Sequence, residues 1–205
     1  MAQLQSDVKQ SKMSLERTER KARADIVQAE ANLKAKESEY NRQVDKLEKI
    51  KLVITDNDGV LTDTGVYYSE NGEELKRFSI RDGMGVERLR KHTGIETIII
   101  TGERSGSIKA RANKLGIKEF YLGVENKLSL LDEILKKNNI SADNIAFIGD
   151  DINDLKLMEK VGFKATPADG TIFIKKIADY ICSNKSGNGA FRELAELIVA
   201  FNFKE

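Results

Sequence analysis

From residue 50 onward, short apolar runs alternate with segments whose apolar residues recur at helical spacing. Alternation of this kind is typical of a parallel sheet that is covered by helices on both faces. We therefore predict a Rossmann-like α/β fold. The predicted strands are 51–55, 95–101, 119–122, 145–148, 163–165 and 180–182, and the predicted helices are 105–115, 126–138, 154–161 and 189–201.

One segment interrupts the alternation. Two strand-like runs, 66–69 and 74–78, flank residues 70–73, which contain the dipeptide Asn71-Gly72. Asn-Gly between two strand-like runs is a strong hairpin signal. We therefore expect a β-hairpin that protrudes directly after the loop of the first strand.

The first 49 residues have a different composition. They contain no Gly and no Pro and are rich in good helix formers, so we predict a long N-terminal helix over 1–49 and a separate domain over 50–205. Seven-residue spacing of apolar residues is typical of a coiled coil, but charged residues and Gln interrupt it. A self-associating or partner-binding helix and a solvated or partly disordered segment both remain open. The spaced residues are Met1, Val8, Leu15, Ala22 and Ala29, and Ile26, Leu33, Tyr40 and Leu47.

Composition excludes several classes of protein. The formal net charge of +1 gives no basic surface for nucleic acid. No window of about 18 apolar residues could cross a membrane, and the N-terminus has no apolar core of a secretory signal. Cys182 is the only cysteine, so an intramolecular disulfide is not expected. We therefore expect a cytoplasmic protein without a nucleic-acid or membrane partner.

Polar side chains follow four of the predicted strands, at the edge of the sheet where sites form in open α/β folds. Converging carboxylates repel one another unless a cation binds, and Mg²⁺ prefers a few carboxylates together with water and phosphate oxygens. The set consists of Asp56 and Asp58 after the first strand, Thr101 after the second, Lys127 after the third, and Asp150, Asp151 and Asp154 after the fourth.

Other kinds of catalytic site find little support. The chain has one histidine and one cysteine, which argues against a Cys-His pair or a histidine-rich zinc site. It has no phosphate-binding loop of the G-x-x-x-x-G-K-[ST] type, and no G-x-G-x-x-G follows the first strand. A carboxylate nucleophile remains the natural choice, since Asp can form an aspartyl-phosphate.

The strand-end motifs resemble, in order and spacing, those of the haloacid-dehalogenase-like phosphatases. They are Asp56-Asn-Asp-Gly-Val-Leu-Thr-Asp63, Thr101-Gly102, Lys127 and Gly149-Asp-Asp-Ile-Asn-Asp154. Three more segments extend the resemblance over about 50–200 and look like the subgroup of 3-deoxy-D-manno-octulosonate 8-phosphate phosphatases. These are Asn71-Gly-Glu-Glu-Leu-Lys76, Arg81-Asp-Gly83 and Gly187-Asn-Gly-Ala-Phe-Arg192. That subgroup lacks a large cap domain and forms tetramers in which the hairpin and the C-terminal tail help complete neighbouring sites.

The resemblance implies a role for each strand-end residue. Asp56 would attack phosphorus, and Asp58 would act first as general acid and then as general base. Mg²⁺ would be bound by the carboxylates of Asp56 and Asp150 and by the backbone carbonyl of Asp58. Thr101 and Lys127 would hold phosphate oxygens. Two other carboxylates, Asp151 and Asp154, would support the metal ligands without binding the metal.

The substrate is left open between two sugar acids. Arg81, Asp82 and Gly83 are typical of enzymes that act on the eight-carbon octulosonate. The position after Thr101-Gly102 is Glu103, however, and Glu103 with Arg111 and Lys114 resembles the branch that acts on nine-carbon 2-keto-3-deoxynonulosonate 9-phosphate. We name all six as candidate substrate-binding residues. The tail position that is often Arg is Asn188 here.

Two alternatives from other functional classes share some of these residues. A receiver-like signalling domain also combines carboxylates, Mg²⁺, Thr and Lys, but it lacks a general acid two residues after the phosphorylated Asp, so Asp58 favours turnover. An inactive structural domain is disfavoured because all the residues expected to do chemistry are present.

Overall fold

The computed structural model describes residues 1–203. The chain divides into two compact units, of which the first is Met1–Gln43 and the second begins at Val44. The long helix α1 spans Ala2–Leu47. Residues 5–42 are exposed without exception, whereas Leu47 is buried in the core of the second unit. The compact unit thus begins a few residues before the expected boundary at residue 50.

The second unit alternates strands and helices in the predicted way. Its strands are β1 Leu52–Thr55, β2 Thr62–Ser69, β3 Gly72–Phe78, β4 Glu96–Ile100, β5 Glu119–Tyr121, β6 Ile145–Ile148, β7 Phe163–Thr166 and β8 Tyr180–Ile181. Its helices are α2 Ile80–Thr93, α3 Gly106–Lys114, α4 Leu131–Asn138, α5 Leu155–Met158, α6 Ile172–Lys175 and α7 Ala190–Asn202, with 3₁₀ turns at Lys127–Leu130 and Ala142–Asn144.

Six strands form one parallel sheet in the order β5-β4-β1-β6-β7-β8. Successive residues of β1 face opposite sides: Val53 packs in one apolar cluster and Ile54 in the other. The first cluster takes residues from α2, α3 and α7, and the second takes residues from α4, α5 and α6. Helices therefore cover both faces of the sheet, which confirms the predicted fold class.

The hairpin is also confirmed, with its turn one residue earlier than Asn-Gly would place it. Strands β2 and β3 pair antiparallel, and the last ladder pair joins Ser69 to Gly72. Gly72 has φ +103, a backbone conformation that side chains other than glycine rarely adopt. Tyr67 and Tyr68 are exposed, so the hairpin presents aromatic surface to solvent.

Helix α2 is the one long element that the sequence pattern did not indicate. Ser79 caps it by accepting a hydrogen bond from the Asp82 amide, and Gly94 ends it in a left-handed conformation. Its interior contains Gly83 and Gly85, which lower helix propensity. A side chain at Gly85 would meet the backbone of Arg192 at 2.9 Å, so glycine permits the close packing of α2 on α7.

Two predicted helices are shorter or less regular than expected. The segment predicted at 126–138 begins as a 3₁₀ turn, and its regular part is α4. The helix predicted at 154–161 is reduced to the single turn of α5. Among the described residues, the structure contains no helix that is both long and apolar enough to cross a membrane.

Candidate active site

A buried ion cluster lies where β1 ends. Asp56 follows β1 directly and is 3% exposed. Lys127 Nζ donates to Asp56 Oδ1 at 2.5 Å and to Asp154 Oδ1 at 2.6 Å. The side chains of Lys127 and Asp154 are 1% and 0% exposed. Residues that lie up to 98 positions apart in the sequence thus form one charged cluster inside the domain.

Negative charge and burial together shift the pKa values of these carboxyl groups. Burial, and then the charge of Asp154, raise the pKa of Asp56 although Lys127 opposes the shift. Burial, and then the charges of Asp56 and Asp154, raise the pKa of Asp150 to about 8. Burial alone would lower the pKa of Lys127, but the two carboxylates that it contacts raise it overall. The site therefore carries an excess of negative charge that a bound cation would neutralise.

Three carboxylates are close enough to surround one metal ion. Single oxygens of Asp56, Asp150 and Asp154 lie within 4.8 Å of one another. The oxygens of Asp154 already accept hydrogen bonds, Oδ1 from Lys127 and Oδ2 from the Asp150 amide at 3.0 Å. Asp56 also accepts a hydrogen bond from Lys127, through Oδ1, and the roles of Asp56 and Asp150 as metal ligands remain predictions. A donor set made of oxygens and carrying excess negative charge fits Mg²⁺.

Glycine makes room for this arrangement in the loop after β1. Gly59 has φ +95, and any side chain at this position would overlap the Asp150 carboxylate. Asp151, in contrast, is exposed, and its Oδ1 accepts a hydrogen bond from the Ile152 amide. Of the two carboxylates predicted to support the metal ligands, Asp154 thus lies in the cluster and Asp151 faces solvent.

Thr101 stands at the same edge of the sheet. It directly follows β4, the neighbour of β1, and is 1% exposed. Its Oγ1 accepts a hydrogen bond from the Glu103 amide at 3.1 Å, which leaves the hydroxyl proton available to a phosphate oxygen.

Asp58 is held by the hairpin. Thr62 Oγ1 donates to Asp58 Oδ1 at 3.1 Å, and Lys76 Nζ donates to Asp58 Oδ2 at 2.8 Å. The resemblance pointed to the segment that ends at Lys76, but no role was predicted for that residue. Its contact with Asp58 depends on how the hairpin folds back over the β1 loop, which local sequence patterns do not report.

The residues Arg81, Asp82 and Gly83 form the first turn of α2. Arg81 is exposed. Asp82 is buried, and its carboxylate accepts hydrogen bonds from the amides of Gly189 and Arg192 at the start of α7. In this structure Asp82 therefore joins two helices, and its contact with a substrate remains a prediction.

The three residues that resemble the nine-carbon branch lie in different surroundings. Glu103 and Lys114 are exposed. Arg111 donates from Nη2 to the Ser79 carbonyl at 2.7 Å, and its guanidinium lies 5.7 Å from the centre of the Phe78 ring. The absence of a side chain at Gly83 gives this guanidinium its space. Arg111 thus braces the junction between β3 and α2, and the substrate roles remain predictions.

Comparison with known proteins identifies the class of enzyme. A family model described as haloacid dehalogenase-like hydrolase matches residues 119–194. The chain is 42% identical over 154 residues to the 3-deoxy-D-manno-octulosonate 8-phosphate phosphatase KdsC of Escherichia coli K12, which covers 75% of this chain and 81% of the relative. The predicted resemblance and the predicted phosphatase class are confirmed.

Solved structures agree with the sequence comparison. The cobalt-bound deoxy-D-mannose-octulosonate 8-phosphate phosphatase from Haemophilus influenzae is 39% identical with a TM-score of 0.74, and the match covers 77% of this chain and 91% of that one. The 3-deoxy-D-manno-octulosonate 8-phosphate phosphatase from Moraxella catarrhalis, solved with magnesium, phosphate and KDO, is 38% identical with a TM-score of 0.74, covering 78% and 91%. Together with the carboxylate cluster, these structures confirm the predicted cofactor, Mg²⁺.

Proposed function

The chain belongs to the haloacid dehalogenase-like phosphatases, and we propose that it hydrolyses 3-deoxy-D-manno-octulosonate 8-phosphate through a phosphorylated Asp56. The observation that carries the proposal is the buried cluster of Asp56, Lys127 and Asp154 at the strand ends. A relative that is 42% identical to this chain over 154 residues bears the name of that activity.

In the first half of the reaction, an oxygen of Asp56 attacks the phosphorus of the substrate. The bond between phosphorus and the sugar oxygen breaks, and Asp58 donates a proton to that oxygen as it leaves. Lys127 already donates to Asp56 Oδ1, so it is positioned to fix the nucleophile and to offset charge on the phosphoryl group. Thr101 holds a second phosphate oxygen through its hydroxyl.

In the second half, water attacks the phosphorus of the aspartyl-phosphate. Asp58, now a carboxylate, takes the water proton, and the electron pair of the broken bond returns to the Asp56 carboxylate. Mg²⁺, held by Asp56, Asp150 and the Asp58 carbonyl, supplies positive charge that neutralises the carboxylates and the phosphoryl oxygens.

The nine-carbon sugar acid is the alternative substrate, favoured by Glu103, Arg111 and Lys114. In this structure Arg111 contacts the protein backbone, and the other two side chains are exposed. Arg81 is exposed at the start of α2, where a substrate carboxylate could be bound in bidentate fashion. These placements do not separate the two substrates, and the octulosonate is favoured by the activity named for the relative that is 42% identical over 154 residues.

The test is phosphate release from the octulosonate 8-phosphate and the nonulosonate 9-phosphate, each with Mg²⁺. The octulosonate should have the higher kcat/KM. Faster turnover of the nonulosonate would reverse the assignment of the substrate and leave the reaction class intact.

Replacing the nucleophile tests the mechanism. Asp56→Asn keeps the volume of the side chain but removes the oxyanion that attacks phosphorus, so kcat should fall about a thousandfold or more. The matched variant is Asp151→Asn, since Asp151 is exposed and should retain most of the activity. An Asp56→Asn protein with near wild-type kcat would remove Asp56 as the nucleophile.

We further propose a cytoplasmic homo-oligomer, a tetramer by resemblance to the subgroup. The exposed aromatic residues of the hairpin, Tyr67 and Tyr68, suit contact with a second copy of the chain. Self-association through residues 1–49 is a separate proposal, supported by the exposed apolar residues of α1, among them Ile26, Leu33 and Tyr40.

A further inference from the structure

The hairpin contributes a buried cation to the site. Lys76 lies on β3 between Leu75 and Arg77, which are both exposed, yet its own side chain is only 1% exposed. Burying an ammonium group costs free energy unless it is paired. The pairing with Asp58, with 2.8 Å between Lys76 Nζ and Asp58 Oδ2, offsets that cost. A lysine on a projecting hairpin is thus directed inward, at a residue that we assign to proton transfer.

Both oxygens of the Asp58 carboxylate are held by this hairpin. Thr62, the first residue of β2, donates to Oδ1, and Lys76, on β3, donates to Oδ2. Donors on both oxygens prevent free rotation of the carboxylate. Each oxygen retains a second lone pair that can accept a further proton donor, so Asp58 is oriented without being blocked.

A second carboxylate places the lysine. Glu73 Oε2 lies 3.6 Å from Lys76 Nζ. The other oxygen, Glu73 Oε1, is buried and has no hydrogen-bond partner among the described residues. Lys76 therefore lies between two carboxylates, one on its own hairpin and one in the β1 loop.

We propose that Lys76 is the positioning residue for Asp58 in the second half of the reaction; this inference rests on the proposed function. There, Asp58 must accept a proton from the water that attacks phosphorylated Asp56. An accepting carboxylate fixed in one orientation performs this step well. In the first half Asp58 donates a proton, which lies on only one of its two oxygens, so the contact with Lys76 does not by itself separate the two halves. A substrate whose leaving group needs no proton makes the second half the only one that depends on Asp58.

The test is a stopped-flow measurement with p-nitrophenyl phosphate and Mg²⁺ on Lys76→Met. Nitrophenolate leaves without a proton from Asp58, so its release in the first turnover reports only the attack by Asp56. We expect kcat to fall about tenfold or more, while kcat/KM stays within about twofold of wild type. A burst that approaches one nitrophenolate per site should precede the slow steady state, because phosphorylated protein accumulates.

Two variants control for the hairpin. Lys76→Arg should restore part of kcat, since a guanidinium also donates to carboxylates. Arg77→Met removes the next cation on the same strand, which pairs with Asp63 at 2.6 Å, and it should give no burst. A burst of equal size in Arg77→Met would attribute the effect to the hairpin as a whole and overturn the inference.

Asp58→Asn separates this inference from the function on which it rests. It should give the same burst with a larger loss of kcat. If Lys76→Met keeps the wild-type kcat while Asp58→Asn is slow, the role of Lys76 is overturned and the proposed role of Asp58 stands. If kcat/KM of Lys76→Met falls as much as kcat does, Lys76 acts in the first half of the reaction. That result would also overturn the proposed role of Lys76. Wild-type kcat in Asp58→Asn would instead overturn the proposed role of Asp58.

Discussion

Helix α1 and the strand-end site are both built from charged side chains, but the two regions place them in different surroundings. Residues 5–42 are exposed throughout, and the ion pair between Arg42 and Glu39 has side chains that are 63% and 50% exposed. The side chains that pair with Lys127 are 5% exposed or less. Exposed pairs contribute little to stability because water competes for them, whereas breaking a buried pair leaves a desolvated charge. The same residue types therefore tolerate change in one region and not in the other.

The largest effect expected from this comparison is that of Asp154→Ala. The substitution removes one of the two carboxylates that pair with Lys127 and leaves the Asp150 amide without its acceptor. Lys127 keeps Asp56 as a partner, so the main loss is that of a buried hydrogen-bond acceptor. The free energy of unfolding should therefore fall by about 1–3 kcal/mol, and kcat should fall with it. Denaturant unfolding without metal measures the first quantity and phosphate release the second.

The matched variant on the helix is Glu39→Ala, which removes one acidic partner of Arg42. The free energy of unfolding should change by about 0.5 kcal/mol or less. Equal losses in Asp154→Ala and Glu39→Ala would contradict the view that burial, rather than the ion pair itself, sets the cost.

A smaller effect, on Mg²⁺ binding, is expected from replacing one of two glycines that have nearly the same backbone conformation. Gly59 and Gly72 have φ values of +95 and +103, so alanine strains both about equally, by roughly 1 kcal/mol. A methyl group at Gly59 also overlaps Asp150, whereas at Gly72 it meets nothing within 4 Å. Gly59→Ala should therefore weaken Mg²⁺ binding about tenfold or more, and Gly72→Ala should leave it unchanged.

Calorimetric titration with Mg²⁺ checks this pair of variants. Similar Mg²⁺ affinities in the two proteins would show that the space beside Asp150 does not matter for the metal. Weakened binding in Gly72→Ala would instead connect the hairpin turn to the metal site.

The smallest effect is expected from removing residues 1–43. Leu47 and Ile50 belong to the core of the domain, so a deletion that extends to residue 49 would damage packing, while one that stops at 43 should not. We expect kcat/KM to stay within about twofold. Light scattering on the full-length and shortened proteins tests self-association, because an unchanged number of subunits would argue against assembly through the helix.

The strand-end residues could be predicted because short-range chemistry identifies them. Asp56, Thr101 and Asp150 each lie one or two residues after an apolar run, and parallel strands bring such positions to one edge. Helix α2 was missed because Gly83 and Gly85 reduce the helical signal, and those glycines serve contacts with distant residues. Contacts between residues that are distant in the sequence cannot be predicted from the pattern of neighbouring residues.

Side-chain partners were harder to predict than positions. The contact between Lys76 and Asp58 requires the hairpin to fold over the β1 loop, and the pairing of Arg111 with the Ser79 carbonyl requires α3 to pack beside α2. Sequence identified both basic residues as part of family-like segments but gave no means of choosing between a substrate and a protein partner for them.

The two hydrogen bonds from the start of α7 to Asp82 have a consequence for the order in which the chain folds during synthesis. Asp82 and Gly189 are 107 residues apart, and Gly187, close by, donates to the Val60 carbonyl at 2.8 Å in the loop that follows Asp56. A nascent chain that has emerged from the ribosome only to residue 180 has made the whole central sheet up to the start of β8, yet it lacks both donors. The β1 loop therefore lacks its hydrogen bond from Gly187, and α2 lacks its two bonds to α7, until the C-terminal segment is in place. We expect phosphatase activity to develop late in the synthesis of the chain.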